Sequence, residues 1–240
     1  MARRIKKQEA PVSNEPKNLR IDNLVTIRAK TDAQTKVKTL YREGLNLCLH
    51  GVAGSGKTFM ATAMALEEVL DPSSDYDKLY FVRSAVPTRE IGFLKGDEKE
   101  KTSVYELPYK AICGELFHNS NAYEILKNQG AVEFVTTSFI RGRTISNAII
   151  IVDEAENLNF HELDSIITRP GENSKIIFCG DYAQSDFTKS RERDGLLSFM
   201  KILQHMNNFA FVEFTVDDIV RSALVKEYII TKYKLGFDGL

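Results

Sequence analysis

One octapeptide constrains this chain more than any other stretch: Gly51-Val52-Ala53-Gly54-Ser55-Gly56-Lys57-Thr58. It satisfies G-x-x-x-x-G-K-[ST] at every fixed position, a coincidence that average residue frequencies allow in about one chain of this length in a hundred. An apolar run at 45–49 precedes it, and a stretch rich in Ala, Met, Leu and Glu follows from Lys57 to Leu70. A glycine-rich turn between a buried strand and a helix is a phosphate cradle. Glycines let the backbone wrap the anion with N–H groups facing inward, and the helix N-terminus adds a favourable dipole. The segment Gly51, Val52, Ala53, Gly54, Ser55, Gly56, Lys57, Thr58 and Phe59 is therefore the expected binding site for the phosphates of a nucleotide. Lys57 would reach the β- and γ-phosphates, and the Thr58 hydroxyl would hold Mg²⁺.

The rest of the sequence reads as an α/β fold built to present that loop. Strands are expected at Leu45–His50, Lys78–Val82, Ala131–Val135, Ala148–Asp153, Lys175–Gly180 and Phe209–Phe214. Several are continuously apolar, which suits strands covered on both faces of a parallel sheet. Helical patterns lie between them: Lys57–Leu70, a stretch within Pro108–Lys127, Phe160–Thr168, and Asp217–Leu235 with a stripe of Ile219, Val220, Ala223, Leu224 and Tyr228. The alternation predicts an α/β layered fold with a mainly parallel sheet and helices on both faces. Residues 1–20, with Arg3, Arg4, Lys6 and Lys7, read as a flexible basic tail, and 21–240 as a single domain. The loop 84–107 is long and charged, a length more often functional than idle.

Two strand ends carry acids. Ala148-Ile149-Ile150-Ile151-Val152 stops at Asp153-Glu154-Ala155-Glu156. Such a strand delivers Asp153 beside the phosphate loop, where it would order Mg²⁺ while Glu154 polarises the attacking water. A strand simply meeting solvent would look the same without the loop upstream. Cys179-Gly180-Asp181-Tyr182-Ala183-Gln184 ends another strand. Gln184 there can touch the γ-phosphate or the water; a plain surface turn is the other reading. Gln34, upstream of the loop, could read an adenine edge through its amide, or be an exposed helix residue.

Composition excludes several classes. The formal net charge is −1 over 240 residues, so any grip on nucleic acid has to be local. Cys48, Cys113 and Cys179 are far apart with no C-x-x-C pair, which disfavours a disulfide framework or zinc ribbon and suits a reducing compartment, the cytoplasm. No apolar run approaches the roughly 18 residues a membrane span needs, and nothing apolar follows the N-terminal basic residues as in a secretory signal.

The order of Gln34, the phosphate loop, Ile149 to Glu156 and Gly180 to Gln184 is similar to the nucleotide-binding lobe of superfamily-one helicases. The chain resembles still more the PhoH family, phosphate-starvation-inducible P-loop proteins of bacteria and many phages. The carrying segments are Arg83-Ser84-Ala85-Val86, Ile91 to Asp97, Phe139-Ile140-Arg141-Gly142-Arg143-Thr144, the acid-ended strand, Gly180 to Asp186, and Asp218-Ile219-Val220-Arg221. Ser84 stands where the family often has Pro, and Glu156 where Gln is common. The compact length looks more like the phage branch, which would place the protein in the host cytoplasm. The resemblance implies a three-layer P-loop NTPase fold, RecA-like, with ATP binding and hydrolysis and a role in RNA handling.

Phosphoryl transfer also needs an arginine, and one supplied by a neighbour can be worth about 10³–10⁵ in rate. Arg141, Arg143, Arg169 and Arg221 are the available ones, with Arg143 and Arg221 taken as catalytic; a salt bridge to Asp217 or Asp218 is the other fate of Arg221. Arg83, Phe139 and Arg141 are the candidate contacts to RNA or single-stranded DNA, Phe139 by stacking a base or else by being buried. Three classes compete: an ATPase acting on single-stranded nucleic acid, an ATP-dependent switch on a protein partner, and a small-molecule kinase. Asp153, Glu154 and Gln184 favour water as the acceptor over a substrate hydroxyl. One phosphate loop without room for a second lobe predicts either a homo-oligomer, as a hexameric ring, or a switch that does not translocate. Nothing in the sequence suggests an attached nuclease domain.

Overall fold

The computed structural model describes residues 18–84, 98–181 and 190–235. Six strands form one sheet in the order β3-β2-β4-β5-β1-β6, and every pairing is parallel. They are β1 (Asn46–Gly51), β2 (Lys78–Arg83), β3 (Val132–Thr136), β4 (Ala148–Val152), β5 (Ser174–Gly180) and β6 (Phe209–Phe214). All six expected strands are present within a residue of their predicted ends.

The continuous apolar runs are explained by helices on both faces. In β4, Ile149 and Ile151 enter one core with Leu47, Leu49, Phe81 and Ile177, while Ile150 and Val152 enter the other with Cys48 and Phe178. The first core is closed by α1 (Asp32–Arg42), α2 (Lys57–Val69), α3 (Glu98–Phe117) and α4 (Ala122–Asn128). The second is closed by α5 (Thr137–Ile140), α6 (Phe160–Ile167) and α7 (Ser190–Gln204). This is the three-layer arrangement expected, and Cys48, Cys113 and Cys179 are buried inside it with no disulfide between them. Among the described residues no helix is long and apolar enough to cross a membrane.

Three expectations need correcting. The stretch 108–127 holds parts of two helices rather than one, and the first of them, α3, begins at Glu98, ahead of Pro108. The break comes at His118, in the left-handed region at φ 48°, with the Asn119 amide donating back to the Gly114 carbonyl at 3.1 Å. This is a left-handed helix cap built without glycine, so the sequence carries no glycine to announce it. The stretch 217–235 is likewise not one helix. Thr215 and Asp218 close a reciprocal cap around a short 3₁₀ turn at Val216–Asp218. The chain then runs extended, and only Ala223–Lys234 forms α8. Ile219 is buried in the extended piece, whereas Leu224 and Tyr228 are 77% and 68% exposed, so the predicted stripe does not share one buried face. Finally, Leu19, assigned to the tail, is buried and bracketed by the Gln129 amide, which accepts from its N–H at 2.9 Å and donates to its carbonyl at 3.1 Å. Residues 1–17, with the basic arm, lie outside the described residues, as do 85–97 of the long loop.

Candidate functional site

In an open parallel sheet, ligands bind at the carboxyl ends of the strands, where the strand order reverses direction. Here β1 sits between β5 and β6, and the chain leaves it to build β2 on the far side of β4 and β5. The carboxyl ends of β1, β5, β4 and β2 therefore lie side by side. They carry the phosphate loop, Gly180-Asp181, Asp153-Glu154 and Arg83 respectively. A cavity of about 680 Å³ opens there, lined by Gln34, Lys57, Thr58, Asp153, Glu154, Glu156, Asp181 and Arg221 among others.

The loop's shape depends on its glycines. Gly51, Gly54 and Gly56 have φ of 112°, 77° and 85°, all positive, where side chains with a Cβ are strained. At Gly51 a Cβ would also run into the carbonyl of Phe214. That carbonyl accepts from the Val52 amide at 2.9 Å, which ties the loop to the end of β6. Ser55 is fully buried and its hydroxyl donates to the Val52 carbonyl at 2.8 Å, folding the loop on itself.

Lys57 opens α2 and turns its ammonium back over the loop, donating to the carbonyls of Gly51 at 2.6 Å and Val52 at 2.9 Å. Burial lowers its pKa from the ordinary lysine value, opposed by the charges of Asp181, Glu156 and Asp153. Thr58, the next residue, donates its hydroxyl to Asp153 Oδ1 at 2.6 Å. The second Asp153 oxygen accepts from the Tyr109 hydroxyl at 3.2 Å. Asp153 is 8% exposed, so this acid is held at the cavity floor rather than spread into solvent. Two hard oxygens converging within hydrogen-bond distance suit Mg²⁺, which is bound by one or two protein oxygens together with substrate phosphates. Among the described residues no cluster of three or more His, Cys, Asp or Glu could hold a metal alone.

Glu154 follows in the left-handed region at φ 50°. Its carboxylate forms an ion pair with Arg83 and accepts from the Asn157 side chain. Burial raises its pKa, the Arg83 charge lowers it, and Asp153 raises it again, leaving it above the ordinary value. Glu156 lies deeper. Burial pushes its carboxyl up to about 7, against the pull of its own N–H and that of Asp181.

Gln34 lies in α1 and lines the cavity, but both ends of its amide are engaged. Its oxygen accepts from the Lys30 N–H at 2.8 Å and its nitrogen donates to the Ser55 carbonyl at 3.1 Å. It braces the phosphate loop, and an adenine edge would have to share the remaining lone pair and proton. Phe59 lines the same cavity. Gln184 lies outside the described residues.

The arginines divide. Arg221 reaches the cavity: it lies outside α8, its side chain passes Gly54, and the Val220 amide donates to the Gly54 carbonyl at 3.2 Å. Among the described residues it makes no ion pair with Asp217 or Asp218; Asp218 is taken up by Thr215. Arg143 does not reach the cavity of its own chain. It pairs with Glu133 at 3.4 Å and borders a groove of about 160 Å³ with Phe139. Phe139 is 49% exposed rather than buried, and Arg141 is exposed beside it. The Arg169 guanidinium reaches the Arg143 carbonyl at 3.5 Å on that surface. Tyr109 has no motif around it, and only the path of α3 brings its hydroxyl to Asp153.

Comparison with known proteins gives the chain a family. A family model described as PhoH-like protein matches residues 26–234. A PhoH-like protein of Synechocystis sp. is 33% identical over 205 residues, 85% of this chain and 61% of the relative. One of Bacillus subtilis is 33% identical over 207 residues, 85% of this chain and 63% of the relative. The chain thus spans about three fifths of the length of these curated relatives. Among solved structures, the large terminase of a thermophilic bacteriophage in complex with ADP matches with a TM-score of 0.48 and 15% identity, covering 82% of this chain and 48% of the terminase.

Proposed function

The chain belongs to the PhoH family, and from that premise we propose that it binds ATP and hydrolyses it to ADP and phosphate, coupled to RNA or single-stranded DNA. The observation that carries the ATPase reading is the convergence of Lys57, the Thr58–Asp153 pair and Glu154 in one cavity beneath a glycine-shaped loop. Loop N–H groups and Lys57 hold the phosphate oxygens. Thr58 and Asp153 would hold Mg²⁺, which would supply positive charge to the phosphates. Glu154 takes a proton from the water that attacks the γ-phosphorus, the bond to the bridging oxygen breaks, and ADP leaves. Arg221, beside Gly54, serves the developing phosphate charge from within the chain. Arg143, on a separate surface, could serve only the site of another copy; assembly into a homo-oligomer, up to a hexameric ring, is part of this proposal.

Support for nucleic acid is the exposed Phe139 beside Arg141 and Arg143, an aromatic platform with cations for a sugar-phosphate chain. The test is ATP binding and phosphate release with and without polyuridylic acid or single-stranded DNA. Lys57→Ala is expected to lose ATP binding or turnover. Glu154→Gln is expected to bind ATP and hydrolyse it at least about 100-fold more slowly. Hydrolysis at the wild-type rate by Glu154→Gln would remove the role given to Glu154. Turnover indifferent to both nucleic acids would remove that coupling and leave an ATP-dependent switch.

A further inference from the structure

The carboxylate of the proposed general base, Glu154, is held by its neighbours. Parallel pairing sets Val82 of β2 against Val152 of β4, and the Asp153 amide donates to the Val82 carbonyl at 2.9 Å. The residues that follow, Arg83 and Asp153-Glu154, therefore emerge from the sheet as neighbours. The left-handed backbone at Glu154 turns its carboxylate to the guanidinium, and the two are in direct contact. Arg83 is in turn supported by the Tyr105 ring, 5.9 Å away. One helical turn on in α3, Tyr109 holds Asp153. The guanidinium side chain is only 17% exposed, so the pair is better shielded than a surface ion pair.

We propose that Arg83 is a positioning residue that restrains Glu154, and that the phosphates of a bound single strand release the base by competing for the guanidinium. The proposal rests on the nucleic-acid reading above for its trigger, but not for the restraint. A carboxylate engaged by a guanidinium and an amide has fewer lone pairs to offer a water. A phosphodiester offers the same planar pairing of oxygens that the carboxylate offers, so it is a competitor of the right chemistry. Exchange of partners would make nucleic-acid binding and water activation one event.

The experiment measures kcat and KM for ATP in the wild type, Arg83→Gln, Arg83→Lys and the double variant Arg83→Gln/Glu154→Gln, each with and without polyuridylic acid. Arg83→Gln is expected to raise basal kcat by about three- to tenfold, the scale of a partly shielded ion pair, with KM unchanged and little further gain from the polynucleotide. Arg83→Lys keeps the charge without the planar fork and should fall between. The double variant should show none of the gain, because the gain acts through Glu154. A fall in basal kcat in both single variants would overturn the proposal, making Arg83 a group that stabilises the transition state. A gain that survives in the double variant would overturn it too. A faster Arg83→Gln alongside a wild type that ignores polyuridylic acid would uphold the restraint and refute its trigger, together with the nucleic-acid reading.

Discussion

Glu156 converts the burial of a single carboxyl into a dependence of stability on pH. Its pKa is pushed up to about 7 by desolvation, with the charges of Glu154 and Asp153 adding to the rise. Between the ordinary glutamate range and that value the folded protein keeps a proton that the unfolded chain has released. Folding stability must therefore fall as pH rises through this window, by about 1–3 kcal/mol in total. Calorimetric melting between pH 4.5 and 8 should show the decline, and Glu156→Gln should flatten it and melt higher at pH 8; a variant that melts lower there, with the slope intact, would refute the assignment. Gly51→Ala tests the loop at the same scale. Positive φ and the Phe214 carbonyl leave no room for a methyl, so a loss of at least about 2 kcal/mol is expected in urea denaturation. The motif residues were legible because each has a stereochemical job that few other residues can do. Tyr109 was not, since a buried tyrosine has no sequence signature until the helix carrying it is placed against Asp153.

At the scale of elements, strands were easier to read than helices for a physical reason. A strand buried on both faces must be apolar at nearly every position, as Ala148–Val152 is, and such runs are rare elsewhere. Helix ends are set by local bonds that several residue types can make. His118 takes the place of a glycine at the end of α3, and Thr215 with Asp218 closes a turn where a helical stripe invited a longer helix. That turn steers the chain so that Val220 reaches Gly54. Thr215→Ala should therefore act twice: about 1 kcal/mol of stability lost with the cap, and a few-fold weaker ATP binding as the loop loses its outer tie. Equilibrium unfolding and nucleotide titration on the same variant separate the two effects. Unchanged affinity would show that the Val220–Gly54 bond holds without the cap.

At the scale of the molecule, the carboxyl edge of one sheet gathers every group placed in the cavity, while Arg143 and Phe139 lie on a second surface. A site whose arginines come partly from elsewhere should show in solution mass. Light scattering is expected to give a multiple of the monomer mass in the presence of ATP. Mixing Glu154→Gln with Arg143→Ala subunits should then restore part of the activity; a monomer at working concentration would reject the shared site and leave Arg221 alone in that role. The strand order has a temporal side as well. The strand that ends in the phosphate loop is the first of the six to be made, yet its two neighbours, β5 and β6, are the last. Leu47 must wait for Ile177 and Ala210 to leave the ribosome before it has a partner on either side. Contacts of such separation are slow to close, so the nascent chain carries the phosphate loop's full sequence long before β5 and β6 exist to hold it in place.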